Sequence, residues 1–175
     1  MEPAPGAKVV YGGLVKGTVQ IHGDLFSTGE VWEAAGMIEP LLLDTHAWVW
    51  FVSGEEKRFA RRAWRAIERA CKRDDCWVSV ISVWEVGMLV SKGRLTLSMS
   101  PAEWTKRALQ APGMSLAPLT REAAVESSFL PGHLHGDPAD RLLVATARHL
   151  RARLATADDK ILSYAVLHQL AVLPC

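Results

Sequence analysis

Four acidic residues stand where an α/β chain places its chemistry. Asp44 follows the apolar triplet Leu41-Leu42-Leu43, Glu85 lies in Ile81-Ser82-Val83-Trp84-Glu85, Asp140 lies in Asp137-Pro138-Ala139-Asp140, and Asp158 follows Leu154-Ala155-Thr156-Ala157. Each has a plain structural explanation. Ser82 and Glu85 have the spacing of a capping box, Asp137 to Asp140 nearly repeats it, and Asp44, Thr45, Thr156 or Asp158 would serve as N-caps. Capping explains acids at helix starts, but not why they follow apolar strands so consistently. If those strands are neighbours, the carboxylates meet in one crevice. Two of them ~4 Å apart repel by about 4 kcal/mol at an effective dielectric near 20, so the cluster calls for a cation. Hard oxygen donors suit Mg²⁺ or Mn²⁺, which bind through a few carboxylates, keep waters and take substrate phosphate. Such an ion lowers the pKa of a bound water and clamps the oxygens of an in-line phosphoryl displacement.

The elements that must position these acids read as short buried strands alternating with helices. Leu41–Leu43, Trp77–Val80, Leu116–Leu119, Leu154–Thr156 and Leu170–Leu173 are the strand candidates. Helices are expected over the basic amphipathic stretch Glu55–Arg73, over Ser82–Lys92 ended by Gly93, over Pro101–Gln110, over Arg121–Phe129, and from Asp137-Pro138 to about Arg151, with another turn or helix beginning near Asp158. This alternation predicts a parallel sheet covered on both faces, an α/β fold.

Composition agrees. The chain has 175 residues, 49% of them hydrophobic and 22% charged, enough for one domain with a sizeable core and too apolar for disorder. Its three cysteines include no CxxC pair, which points to a reducing, cytoplasmic compartment. No apolar stretch reaches the ~20 residues of a membrane span, and the start, MEPAPGAKVV, is not a signal peptide. The net charge is +1, but residues 1–40 carry two lysines against five acids, an acidic leader at −3 on a body at +4.

The strings LLLDTHAWVW, ISVWEVGMLVSKGRL, GDPADRLLVATARH and LATADDKI resemble the PIN-domain ribonuclease toxins of VapC type, in the right order, from Met37 to Cys175. The resemblance implies a three-layer α/β/α fold with about five parallel strands and Mg²⁺- or Mn²⁺-dependent endonucleolytic cleavage of RNA. Carried across motif by motif, it assigns Asp44, Glu85, Asp140 and Asp158 as the metal-binding, catalytic acids, with Asp137 and Asp159 as helpers. It prefers Asp140 over Asp137 because Ala145 and Ala147 follow it at helical spacing. A different class of function also stands: a non-catalytic PIN-like binding module whose acids only cap helices.

Other residues have two readings. His133 and His135 form an H-x-H without a third ligand, more in keeping with an ordinary loop, and His46 would line the site or start a helix. Trp48, Trp50 and Trp84 could stack bases, although Trp48 and Trp50 sit in an apolar run suited to core or dimer burial. The Lys57–Arg73 run would hold RNA phosphates or simply face solvent. Ser79, Ser82 and Thr156 would orient a metal-bound water. The run Trp48–Val52, with Glu55–Arg73 and Pro101–Gln110, offers aromatic surface for a homodimer.

The leader, residues 1–36, is too poor in apolar residues to build a core of its own. It contains the strand-like Thr18–Ile21 and a helical candidate, Gly29–Ala35. The stretch GGLVKGTVQIHGDLFSTGEVWEAA resembles the C-terminal, toxin-binding end of a Phd/YefM-type antitoxin. That resemblance implies an antitoxin partner, with its tail present in cis at about residues 12–35. In this reading Thr18–Ile21 lies extended along an edge, Trp32 anchors an apolar contact, and Lys16 or His22 reaches the acids as an inhibitor.

Overall fold

The computed structural model describes residues 13–21, 39–134 and 136–175. The expected helix Gly29–Ala35, Trp32, His22 and His135 lie outside the described residues. In chain order the elements are β1 (Val19–Ile21), β2 (Leu41–Leu43), α1 (Thr45–Ser53), α2 (Arg61–Cys71), β3 (Cys76–Ser79), α3 (Val80–Ser91), β4 (Leu95–Leu97), α4 (Pro101–Ala108), β5 (Met114–Ala117), α5 (Arg121–Glu126), α6 (Pro138–Leu150), β6 (Arg153–Thr156), α7 (Asp159–His168) and β7 (Val172–Pro174).

Five strands form one parallel sheet in the order β5-β3-β2-β6-β7. The chain steps outward from β2 through β3 to β5, then returns to place β6 on the other side of β2. The C-terminal ends of β2 and β6 therefore flank the point where the winding reverses, which is where open parallel sheets bind ligands. Leu41, Leu42 and Leu43 are all buried, as a strand covered on both faces requires. Their alternation splits the core. Leu41 and Leu43 pack with Trp48, Phe51, Ile67 and Trp104 on one face, and Leu42 packs with Leu143, Leu154 and Ile161 on the other. This is the expected three-layer α/β/α arrangement.

Several expectations shift. The stretch Glu55–Arg73 is not one helix but a 3₁₀ turn at Glu56–Arg58 followed by α2. The break falls at Phe59, whose extended backbone turns its ring inward against Trp50 and Trp64. The helix expected at Ser82 begins at Val80, capped by Ser79 Oγ, which accepts from Ile81 N at 3.1 Å. The aromatic run proposed as a dimer surface is internal: Trp48–Val52 are at most 3% exposed, and Trp104 is fully buried edge-on to Trp48. One small domain uses this surplus because α1 is sandwiched between the sheet and the helices and leader outside it. No helix among the described residues is long and apolar enough to cross a membrane.

The described part of the leader lies on the body. Gly13 N donates to Phe51 O (3.0 Å) and Val15 N to Val52 O (2.9 Å), binding the leader to the last turn of α1. Val15 is buried in the core there. Gly13 and Gly54 meet backbone to backbone, both at positive φ, so a side chain at either position would be strained, and one at Gly54 would also crowd the Gly13 backbone. Thr18 Oγ1 accepts from the indole Nε1 of Trp104 at 3.0 Å. β1 then pairs antiparallel with β4, Ile21 opposite Leu95. The expected extended segment is present over Val19–Ile21, and the edge it lies along is β4.

Candidate active site

The register of the sheet brings the first acid to its place. Leu43 pairs with Val78 on one side and Ala155 on the other, so Asp44, the next residue, emerges between the ends of β3 and β6. It caps α1, with Oδ1 accepting from Thr45 N (2.6 Å), while Oδ2 accepts from Thr156 Oγ1 (2.6 Å). Asp158 ends the same edge and caps α7, with Oδ1 accepting from Lys160 N (2.8 Å) and Ile161 N (3.0 Å). Its own amide donates to Thr156 Oγ1 (3.0 Å), so one threonine hydroxyl ties the two aspartates together. Both aspartates are buried. Capping and site formation are therefore not alternatives at these positions.

Glu85 departs from the capping box. Ser82 lies inside α3 rather than at its start, and its buried hydroxyl has no hydrogen-bond partner among the described residues. Glu85 instead points across to α1, where Oε2 accepts from Thr45 Oγ1 at 2.7 Å. Asp140 stands in the first turn of α6 behind Asp137, the cap, whose Oδ1 accepts from Ala139 N (2.9 Å).

Asp44, Glu85, Asp140 and Asp158 line one cleft of about 130 Å³, together with Asp137, Thr45, His46 and Arg94 and an apolar side of Val49, Leu89 and Leu95. Repulsion is visible in the carboxyls. Burial pushes Asp140 up to about 8, aided by the charges of Asp44, Asp137, Asp158 and Glu85. Glu85 is also raised, chiefly by burial, against the opposing effects of the Thr45 hydrogen bond and Arg94. His46 packs against Trp50, and its Nε2 accepts from Ala157 N (2.9 Å), which leaves the ring proton on Nδ1, 3.4 Å from Asp44 Oδ2.

The donor set fits Mg²⁺ or Mn²⁺: hard carboxylate oxygens around a concentration of negative charge with, among the described residues, one cationic side chain on its lining. Among the described residues no three histidine, cysteine or acidic side chains form a ready metal cage. An ion that keeps waters and takes substrate phosphate needs only part of its shell from the protein, which an open, acid-lined cleft can supply.

The remaining candidates fall elsewhere. Trp48 and Trp50 are core, while Trp84 is 57% exposed on α3 beside Glu85. Ser79, Ser82 and Thr156 do not line the cleft, and Thr156 acts by holding Asp44. His133 and Asp159 belong to a separate groove along α7. No residue of Lys57–Arg73 reaches the cleft, and Arg58 stacks over Trp50. Lys16 packs near Gly54, at the end of α1 opposite Asp44, so it does not reach the acids. Thr45 and Arg94 are the polar lining residues whose part the sequence did not disclose. Thr45 read only as a cap, and nothing local marks Arg94.

Residues 41–167 match the family described as PIN domain. Ribonuclease VapC22 of Mycobacterium tuberculosis (strain ATCC 25618 / H37Rv) is 34% identical over 124 residues, spanning 71% of this chain and 91% of that protein. Among solved structures, VapBC2 from Rickettsia felis bound to a promoter DNA fragment aligns over 77% of this chain and 97% of that one, with a TM-score of 0.55 and 16% identity. FitAcB from Neisseria gonorrhoeae aligns over 76% and 96%, with a TM-score of 0.51 and 20% identity. At such identities the likeness to these two structures is one of fold.

Proposed function

This chain belongs to the PIN domain family, and from that premise we propose that it is a VapC-type toxin, a metal-dependent endoribonuclease that hydrolyses RNA phosphodiester bonds. The observation that carries the reading is the meeting of Asp44, Glu85, Asp140 and Asp158 in one cleft at the reversal point of the sheet. These four residues would hold Mg²⁺ or Mn²⁺. When bound, the ion supplies a Lewis acid for the phosphate and a water of lowered pKa.

The chain's own groups prepare the site. Thr45 and Thr156 fix the Glu85 and Asp44 carboxylates through hydroxyl donors, and backbone amides at two helix starts fix Asp44 and Asp158, so the acids are oriented before substrate arrives. Asp140, pushed up to about 8, holds its carboxyl proton near neutral pH and is the group that a cation would ionise. The caps-only binding module gains no support from Glu85 and Asp140, neither of which caps a helix.

An antitoxin of Phd/YefM type is the proposed partner. The inhibitory reading of the leader rests on residues 22–36, outside the described residues, since Lys16 sits at Gly54 and not at the acids. A homodimer would have to use surface other than Trp48–Val52. Cleavage of a mixed single-stranded RNA with Mn²⁺ and with EDTA tests the activity. Loss of cleavage in EDTA, and in Asp44→Asn with Mn²⁺, is the expected result, and metal-independent cutting would overturn it.

A further inference from the structure

The cleft poses an electrostatic problem for any RNA enzyme. Among the described residues five acidic side chains line it, and the substrate is a polyanion. Among the described residues Arg94 is the cation on that lining. The residue is exposed, it lies near enough to Glu85 to favour that carboxylate's ionised form, and among the described residues no carboxylate forms an ion pair with it. Its charge is therefore not consumed by the acids it faces.

Two devices fix the backbone beneath Arg94. Helix α3 ends in a Schellman motif, in which Gly93 N donates to Val90 O (3.0 Å) and Arg94 N to Leu89 O (2.9 Å), with Gly93 at φ +67°. The chain then enters β4, which stands apart from the five-stranded sheet. Its one strand partner among the described residues is β1, from the leader. Ser98 N donates to Thr18 O at 3.0 Å, which makes those residues a hydrogen-bonded pair. Alternation along an antiparallel ladder makes Gln20 and Thr96 the next. β1 is itself anchored, through Val15 in the core and Thr18 on Trp104.

We propose that Arg94 grips a phosphate of the RNA backbone in the cleft, and that the leader strand β1 is the brace that holds Arg94 there. The proposal rests on the ribonuclease reading above and deepens it. A guanidinium matches a phosphate bidentately and stays charged, whereas a lysine supplies only a point charge. The described part of the leader, in this account, supports activity. It does not restrain it.

Steady-state cleavage of a labelled single-stranded RNA by the full-length protein in Mn²⁺, across a salt series, tests this. Arg94→Ala should raise KM about 10-fold with little change in kcat, and should lower the slope of log KM against log salt by about 1, the signature of one lost phosphate contact. Arg94→Lys should recover the salt slope and part of the affinity. Gln20→Pro removes a ladder donor and should raise KM as Arg94→Ala does, while the double variant is no worse than Arg94→Ala alone. Thr18→Val, which takes the anchor off Trp104, serves in its place if the proline variant does not fold. An Arg94→Ala enzyme with the parental KM and salt slope overturns the phosphate contact and leaves the ribonuclease reading intact. Brace variants with the parental KM, or with faster cleavage, overturn the supporting role of β1. A parent that cuts no RNA overturns the ribonuclease reading and this proposal with it.

Discussion

On the floor of the cleft, Asp44 and Asp158 each sit one or two residues beyond a buried strand and cap the helix that follows. On its rim, Arg94 immediately precedes a three-residue strand with no place in the main sheet, β4, which pairs with a segment more than seventy residues earlier in the chain. The floor is made by local chemistry repeated on neighbouring strands, and the rim by a single long-range pairing. The floor should therefore tolerate little change, and the rim should yield while leaving the domain folded.

The largest effect expected from breaking the floor is catalytic. Asp44→Asn keeps an N-cap of nearly the same shape but removes one charge of the cluster, and should lower RNA cleavage by about 10²-fold or more. Its melting temperature in EDTA should match or exceed that of the parent, because repulsion falls. A variant that cuts at the parental rate would remove Asp44 from the site. Next in size is the core beneath it. Leu42→Ala, at 0% exposure between two strands, should cost about 2–5 kcal/mol in urea unfolding. On the rim, Thr18→Val leaves the buried Trp104 Nε1 without its acceptor and should cost about 1–3 kcal/mol. Equal losses at Leu42 and Thr18 would erase the distinction between the regions.

The smallest effect is on pH dependence, because Asp140 is half-buried and its neighbours' charges are screened by water and salt. Its pKa rises from 3.8 to about 8 on folding, so between those values the folded state binds more protons than the unfolded one. Stability must then fall as pH rises through that window. Metal-free protein should melt lower at pH 8 than at pH 5, Asp140→Asn should flatten the decline, and Mn²⁺ should oppose it. A profile identical in parent and variant would show that Asp140 does not carry the repulsion.

The amino-acid sequence by itself determined the α/β class, the buried parallel sheet and the positions of the acids, because period-two burial, caps and proline at a helix start act over a few residues. The sheet then needed only its strand order to gather Asp44 and Asp158. Tertiary structure decided the rest. Ser82 and Glu85 have the spacing of a capping box, yet Ser79 takes the cap and Glu85 turns to Thr45, forty residues away. Trp48–Val52 looked like surplus surface until the opposing helices and the leader covered it. Arg94 carried no local sign of its place in the cleft, and the strand that follows it, β4, pairs with a leader whose own apolar residues are too few to fold alone. Short-range chemistry is written in short strings, whereas a pairing between distant segments exists only once both have found the same core.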